Sequence, residues 1–292
     1  MRPLTRRAFV GAMSAASLAA ETSALIAITL DLEMSMHYPV WGQTEWNYRK
    51  GDLDEASKRY TVDVARRVKE AGGVVHNFVV GRVFEQENVD WLAGLLKDGH
   101  HLGNHSYDHI HLRETSLDKM QYRFQRAPWL IEGKEPAQVI RENIRLTESA
   151  MKSRLGERPE GFRAPGGFPD GIADRMDLQL MLMSLGYVWV STRYPAHPLT
   201  KPGEAPTEAI FRGIVEAQKR AQPFVYHSGL IEVPASPITD VVAFRTCRWN
   251  LEQYQRAIRE SLEWAIAQGA VLISPRIRRS WAWWTRSSGR ST

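Results

Sequence analysis

Three short segments of this 292-residue chain hold residues that could do chemistry together. His105-Ser106-Tyr107-Asp108-His109 sets two imidazoles four positions apart. On a helical turn, positions i and i+4 share a face, so both rings could reach one cation. A solvated, histidine-rich loop, with His100, His101 and His111 close by, accounts for the same pair without a metal. Asp31-Leu32-Glu33 follows an apolar run; in a strand, residues i and i+2 point to the same side, so both carboxylates can face one pocket. A helix N-cap accounts for Asp31 alone. Two acids directly after an apolar strand are costly to bury, however, unless they are paired or bound to metal. The third segment is Phe162-Arg163-Ala164-Pro165-Gly166-Gly167. An arginine beside a carboxylate holds it by charge-assisted hydrogen bonds, and Pro-Gly-Gly lets backbone approach a substrate closely. Read alone, this segment is a turn with a surface arginine.

Taken together, two neutral imidazoles and one carboxylate form a mixed nitrogen and oxygen set. It suits zinc or a neighbouring divalent metal, with positions left open for water and substrate. One carboxylate is then spare. A metal draws the pKa of its bound water towards neutrality, and a nearby base can take the remaining proton as that water attacks a carbonyl. Two histidines and a carboxylate also serve non-haem iron oxygenation, but there the second acid and the arginine have no role.

The elements around these segments alternate. The run 24–30 is short, apolar and rich in β-branched residues, which predicts a strand buried on both faces of a parallel sheet. Helical spacing over 55–71 stops at Gly72-Gly73. Further strands are expected at 74–80, just before His105, at 187–191, 229–233 and 270–273, and helices at 89–98, 136–155, 174–185 and 251–268. About seven βα units fit a distorted (β/α) barrel, with an open parallel α/β sheet as the alternative. Barrel active sites are assembled at the C-terminal ends of strands, and Asp31, His105 and Arg163 are each expected to follow one. The polar, aromatic stretch 37–48 reads as a long loop, in which Trp41 and Trp46 could stack on sugar rings.

The order of the three segments resembles the polysaccharide deacetylase family, also known as the NodB homology or carbohydrate esterase 4 group. In that family a strand-end acid pair, an H-S/T-x-x-H element and an R-x-P element occur in this order on a distorted (β/α) barrel. The D-x-E spacing of Asp31 and Glu33 is similar to the branch that includes peptidoglycan deacetylase-like and cyclic amide or ureide hydrolase-like members. The resemblance implies that Glu33, His105 and His109 are metal ligands, that Asp31 is the general base and that Arg163 orients it. It further implies a zinc-dependent hydrolase of carbon–nitrogen bonds other than peptide bonds, acting on an N-acylated glycan or a small amide. Leu230-Ile231-Glu232-Val233-Pro234 resembles the family's late strand beside the substrate groove.

The resemblance breaks where the family expects a histidine as general acid, because no histidine occurs after His227. The segment 274–292 instead carries Trp281, Trp283 and Trp284 among arginines and serines, with no regular period. It reads as a tail produced by a reading-frame shift near residue 271. Read one base over, one choice of GC-rich codons for 275–279 would encode a His-Pro pair. If the tail is genuine, the acid is missing. Loss of a general acid costs about 10²- to 10⁴-fold in rate while leaving the metal ligands in place, so a weakened enzyme that binds glycan is the alternative.

Composition bounds the rest. A hydrophobic fraction of 43% and a charged fraction of 24% are those of a globular protein. The net charge of +5 is inflated by Arg276, Arg278, Arg279, Arg286 and Arg290, which follow the last acid, Glu263, so no nucleic-acid partner is inferred. The single cysteine, Cys247, excludes an intramolecular disulfide and a cysteine-rich metal site. Thr5-Arg6-Arg7-Ala8-Phe9 and the small residues after it are similar to a twin-arginine signal over 1–23, which implies export, with a cytoplasmic protein as the alternative. The catalytic domain is expected over 24–273, with no membrane span. Neither the oligomeric state nor the substrate's identity is written in the chain.

Overall fold

A computed structural model describes residues 2–3, 23–34 and 50–277. Most of the expected export signal, the loop holding Trp41 and Trp46, and most of the aberrant tail lie outside these residues. The described chain falls into two compact units, one built on Ile28–Gly166 and the other on Gly167–Pro275.

The first unit positions the three segments. Its strands are β1 (Leu25–Leu32), β2 (Val75–Val79), β3 (His101–Asn104) and the start of β4 (Phe162–Phe168). Its main helices are α1 (Glu55–Glu70), α2 (Asp90–Lys97), the short α3 (Leu117–Met120) and α4 (Tyr122–Arg126), and α5 (Pro136–Leu155). Local chemistry sets the helix ends. Asp54 caps α1 by accepting from the Ser57 N–H at 2.7 Å. A capping box of Glu135 and Gln138, with Pro136 in the first turn, starts α5, and Gly156 ends it at φ 77°.

The strands are parallel, and their register explains the site. Leu32 lies opposite Val79, Val79 opposite Asn104, and Asn104 opposite Phe162. The next residue along each strand is therefore Glu33, Val80, His105 or Arg163, which share one level at the C-terminal side of the pairing. One step back, Asp31 lies opposite Phe78, and Phe78 opposite Gly103. A Cβ on Gly103 would come within 2.6 Å of the Phe78 ring and of His76, so only glycine fits there. Leu30, Leu32, Val75, Val79, Leu92, Leu95, Leu102 and Met151 form the core beneath this level. Each such side chain contributes about 1.5–3 kcal/mol by burial.

The second unit holds α6 (Met176–Ser184), β5 (Trp189–Arg193), α7 (Glu208–Arg220), β6 (Phe224–Val225), β7 (Ile231–Glu232), α8 (Leu251–Gln268) and most of β8 (Val271–Ile277). Trp189 and Val190 pair in parallel with Ile231 and Glu232, whereas Phe224–Val225 pairs antiparallel with β7 and with Arg2–Pro3. Phe211, Ile214, Phe244, Trp249 and Tyr254 are buried together.

The α/β class expected of the sequence is borne out, and the mostly parallel pairing is consistent with a distorted NodB-like barrel. Two local expectations are corrected. Phe162–Phe168 is a strand rather than a turn, so Arg163 sits near a strand start instead of after one. The helix Glu208–Arg220 was not anticipated. No helix among the described residues is long and apolar enough to cross a membrane.

Candidate metal centre

The His105-to-His109 segment is a loop and not the helical turn that the i, i+4 spacing suggests. Ser106 and His109 have φ of 55° and 59°, left-handed values that non-glycine residues seldom adopt. Such conformations persist where the surroundings impose them, and here they do. Asn104 Oδ1 accepts from the Ser106 N–H at 2.8 Å, and Ser106 Oγ accepts from the Ile110 N–H at 3.0 Å. Asn143, projecting from α5, takes the Asp108 N–H on its side chain at 2.8 Å and the Tyr107 N–H on its carbonyl at 3.1 Å. Gln121 donates to the carbonyls of Asp108 and His109, and Arg123 pairs with the Asp108 carboxylate. Burial raises the Asp108 pKa, and the arginine opposes that rise.

This loop turns both histidines onto Glu33. Nε2 of His109 lies against Oε2 of Glu33, and Nε2 of His105 is 3.8 Å from the same oxygen. The two rings are 5.0 Å apart at 78° to each other. One ligand atom from each of Glu33, His105 and His109 falls within 4.8 Å of the others. Oε2 is buried and makes no hydrogen bond of normal geometry, although two imidazole nitrogens face it. A buried carboxylate oxygen so placed is costly unless a cation takes it, so the residues present fit a metal ion.

Protonation agrees with that fit. Nδ1 of His105 is 2.9 Å from the Arg163 carbonyl, which can only accept, so Nδ1 is the donor and Nε2 is the nitrogen turned towards Glu33. Burial pushes the His109 imidazole down to about 4, against the pull of Glu33, leaving it neutral at pH 7. Burial opposes the charge of Glu33 as well, but His109 and Lys50 beside it hold its pKa well below the usual carboxylate range.

Asp31 is held separately. Arg163 NH1 donates to Asp31 Oδ1 at 2.7 Å and to Thr29 Oγ1 at 2.9 Å, and its guanidinium stacks 4.1 Å over the Phe78 ring. Arg163 thus joins the two halves of the site: its side chain holds Asp31, and its carbonyl orients His105. All five residues singled out in the sequence are brought together within one unit. Those the sequence did not single out are Lys50, Thr29, Phe78, Asn143 and Gln121. None belongs to a short motif; each reaches the site through tertiary register.

The polysaccharide deacetylase family profile matches residues 52–182, a span holding His105, His109 and Arg163. That match bears out the resemblance to the polysaccharide deacetylases read from the sequence. The match supports a hydrolase acting on carbon–nitrogen bonds other than peptide bonds. Solved structures agree on the fold. A Mycobacterium smegmatis protein assigned to the polysaccharide deacetylases superposes with a TM-score of 0.53 at 14% identity, covering 94% of this chain and 85% of its own. One from Pseudomonas aeruginosa PAO1, assigned likewise, gives 0.54 at 13% identity, over 91% and 85%. A PuuE allantoinase gives 0.52 at 11% identity, over 91% and 85%. No curated protein sequence matches the chain.

Proposed function

We propose that this protein removes acetyl groups from an N-acetylated polysaccharide or oligosaccharide, using a divalent ion held by Glu33, His105 and His109. The observation that carries the proposal is the convergence of those three donors on one point, with Asp31 fixed beside them by Arg163. Two imidazoles and a carboxylate favour zinc. When bound, the ion would polarise the acyl carbonyl and activate water. The chain's own residues would do the rest. His105 and His109 would present their Nε2 atoms to the ion, and Asp31 would take the proton released by the attacking water. Arg163 fixes one oxygen of Asp31, which leaves the other available as the base. Thr29 and Phe78 hold the guanidinium in place. The sequence offers no late histidine to protonate the leaving amine, so slow turnover is expected of the chain as written.

A cyclic amide or ureide hydrolase would use the same residues, and the allantoinase superposes about as well as the deacetylases do. The deciding experiment supplies zinc-loaded protein with N-acetylated chito-oligosaccharides and, separately, with a cyclic ureide. Acetate release that a chelator abolishes and zinc restores supports deacetylation. Ring opening alone moves the assignment to the second substrate class. Bound zinc with neither reaction leaves a glycan-binding protein. Export belongs to the same proposal and is tested by fusing residues 1–23 to a reporter that folds only after twin-arginine transport; a reporter retained in the cytoplasm contradicts it.

A further inference from the structure

Lys50 is buried against Glu33. Its Nζ lies 2.6 Å from Glu33 Oε1, and the two side chains are 4% and 3% exposed. The Lys50 carbonyl accepts from the Met34 N–H at 2.8 Å, so the lysine backbone is tied to the residue directly after Glu33. A buried ammonium is tolerated only with a partner, and here Oε1 is that partner. Oε2, by contrast, has no hydrogen bond of normal geometry and faces Nε2 of both histidines. The carboxylate is divided, with one oxygen held by a cation of the protein and the other offered to the ligand set.

We propose that Lys50 is a positioning residue that makes Glu33 a one-oxygen metal ligand. The inference rests on the metal-site reading above and deepens it. Glutamate reaches one methylene further than aspartate and has one more rotatable bond, so without a hold on Oε1 it can turn and offer both oxygens. Carboxylates bind ions in either mode. Fixing Oε1 keeps the second oxygen off the ion and leaves that coordination position to substrate or water. The arrangement parallels the other half of the site, where Arg163 holds Oδ1 of Asp31. Each buried acid has its own buried cation, so the four side chains are neutral overall before any ion enters. Lys50 also repels a divalent ion, so removing it changes affinity in two opposing directions. Coordination, not affinity, therefore reads the role.

The test is X-ray absorption at the zinc edge on the zinc-loaded full chain. The wild type is expected to show two imidazoles and a single carboxylate oxygen at about 2.0–2.2 Å. In Lys50→Met the zinc should gain a second carboxylate oxygen, and Lys50→Arg, which keeps an N–H donor for Oε1, should restore the single one. Lys50→Leu, which likewise has no donor for Oε1, gives the same reading as Lys50→Met should the methionine variant fail to fold. Zinc coordination identical to wild type in a folded Lys50→Met or Lys50→Leu variant overturns the positioning role while leaving the metal site standing. A wild-type chain that takes up no zinc overturns both.

Discussion

Glu33 and Glu232 are both buried glutamates near strand ends, one in each compact unit, and the protein treats them in opposite ways. Glu232 has no exposed surface and four donors. Its Oε1 accepts from the N–H groups of Thr192 and Arg193 at 2.7 and 2.8 Å, and its Oε2 from the hydroxyls of Thr192 and Tyr226 at 2.6 and 2.7 Å. No side-chain cation is among them. Burial pushes its pKa up, and these donors oppose the rise without cancelling it. Glu33 has a cation on one oxygen and nothing of normal hydrogen-bond geometry on the other. Burial is common to both, so it cannot tell a ligand from a strut. The account of each oxygen does: a carboxylate whose four acceptor directions are filled has finished its work in the fold, and one with a buried oxygen set only against two imidazole nitrogens has not.

The contrast can be broken most forcefully at the ligand set. Glu33→Gln or His109→Ala should bring zinc content and amide hydrolysis to background, measured by metal analysis and acetate release, while the chain stays folded. Asp31→Asn comes next. It should keep its zinc and lose about 10²- to 10⁴-fold in rate, the usual contribution of a general base; full activity would remove Asp31 from that role.

Glu232→Gln probes the other side of the comparison. An amide nitrogen facing donors should cost about 1–3 kcal/mol of stability in urea unfolding, with zinc stoichiometry unchanged. Loss of zinc from a folded Glu232→Gln protein would show that the two carboxylates are not separate in function. The smallest effect is in pH dependence. The folded pKa of Glu232 is raised, so the folded chain keeps that proton to higher pH than the unfolded chain does. Its contribution is fully present below the unfolded value near 4.5 and is lost as pH rises through the folded one. Glu232→Gln should flatten that part of the stability profile; an unaltered slope would contradict the raised pKa.

The sequence made one of these glutamates legible and only part of its surroundings. Asp31, Glu33, His105, His109 and Arg163 stand out because ligand and base chemistry needs particular side chains, and each lies in a short segment. The two histidines were found by helical spacing, yet a left-handed backbone at Ser106 and His109 brings them together. Spacing identified the residues and misjudged the turn, because Asn143 and Gln121, which impose its shape, are distant in sequence. Lys50 was illegible for the same reason, as its partner is reached only once the chain returns to the end of β1. Among the elements, 136–155 and 251–268 matched their expected bounds because a capping box and a left-handed glycine mark both ends. The strand Phe162–Phe168 was read as a turn because Pro165-Gly166-Gly167 carries turn chemistry into a strand.

The central claim is that Glu33 Oε2, His105 Nε2 and His109 Nε2 hold one metal ion. Anomalous diffraction from crystals of the zinc-loaded protein, collected on either side of the zinc absorption edge, tests it most directly. The account predicts a single strong peak within bonding distance of those three atoms, with Lys50 still on Oε1. A peak elsewhere, or zinc absent from this trio in crystals grown with excess metal, would contradict it.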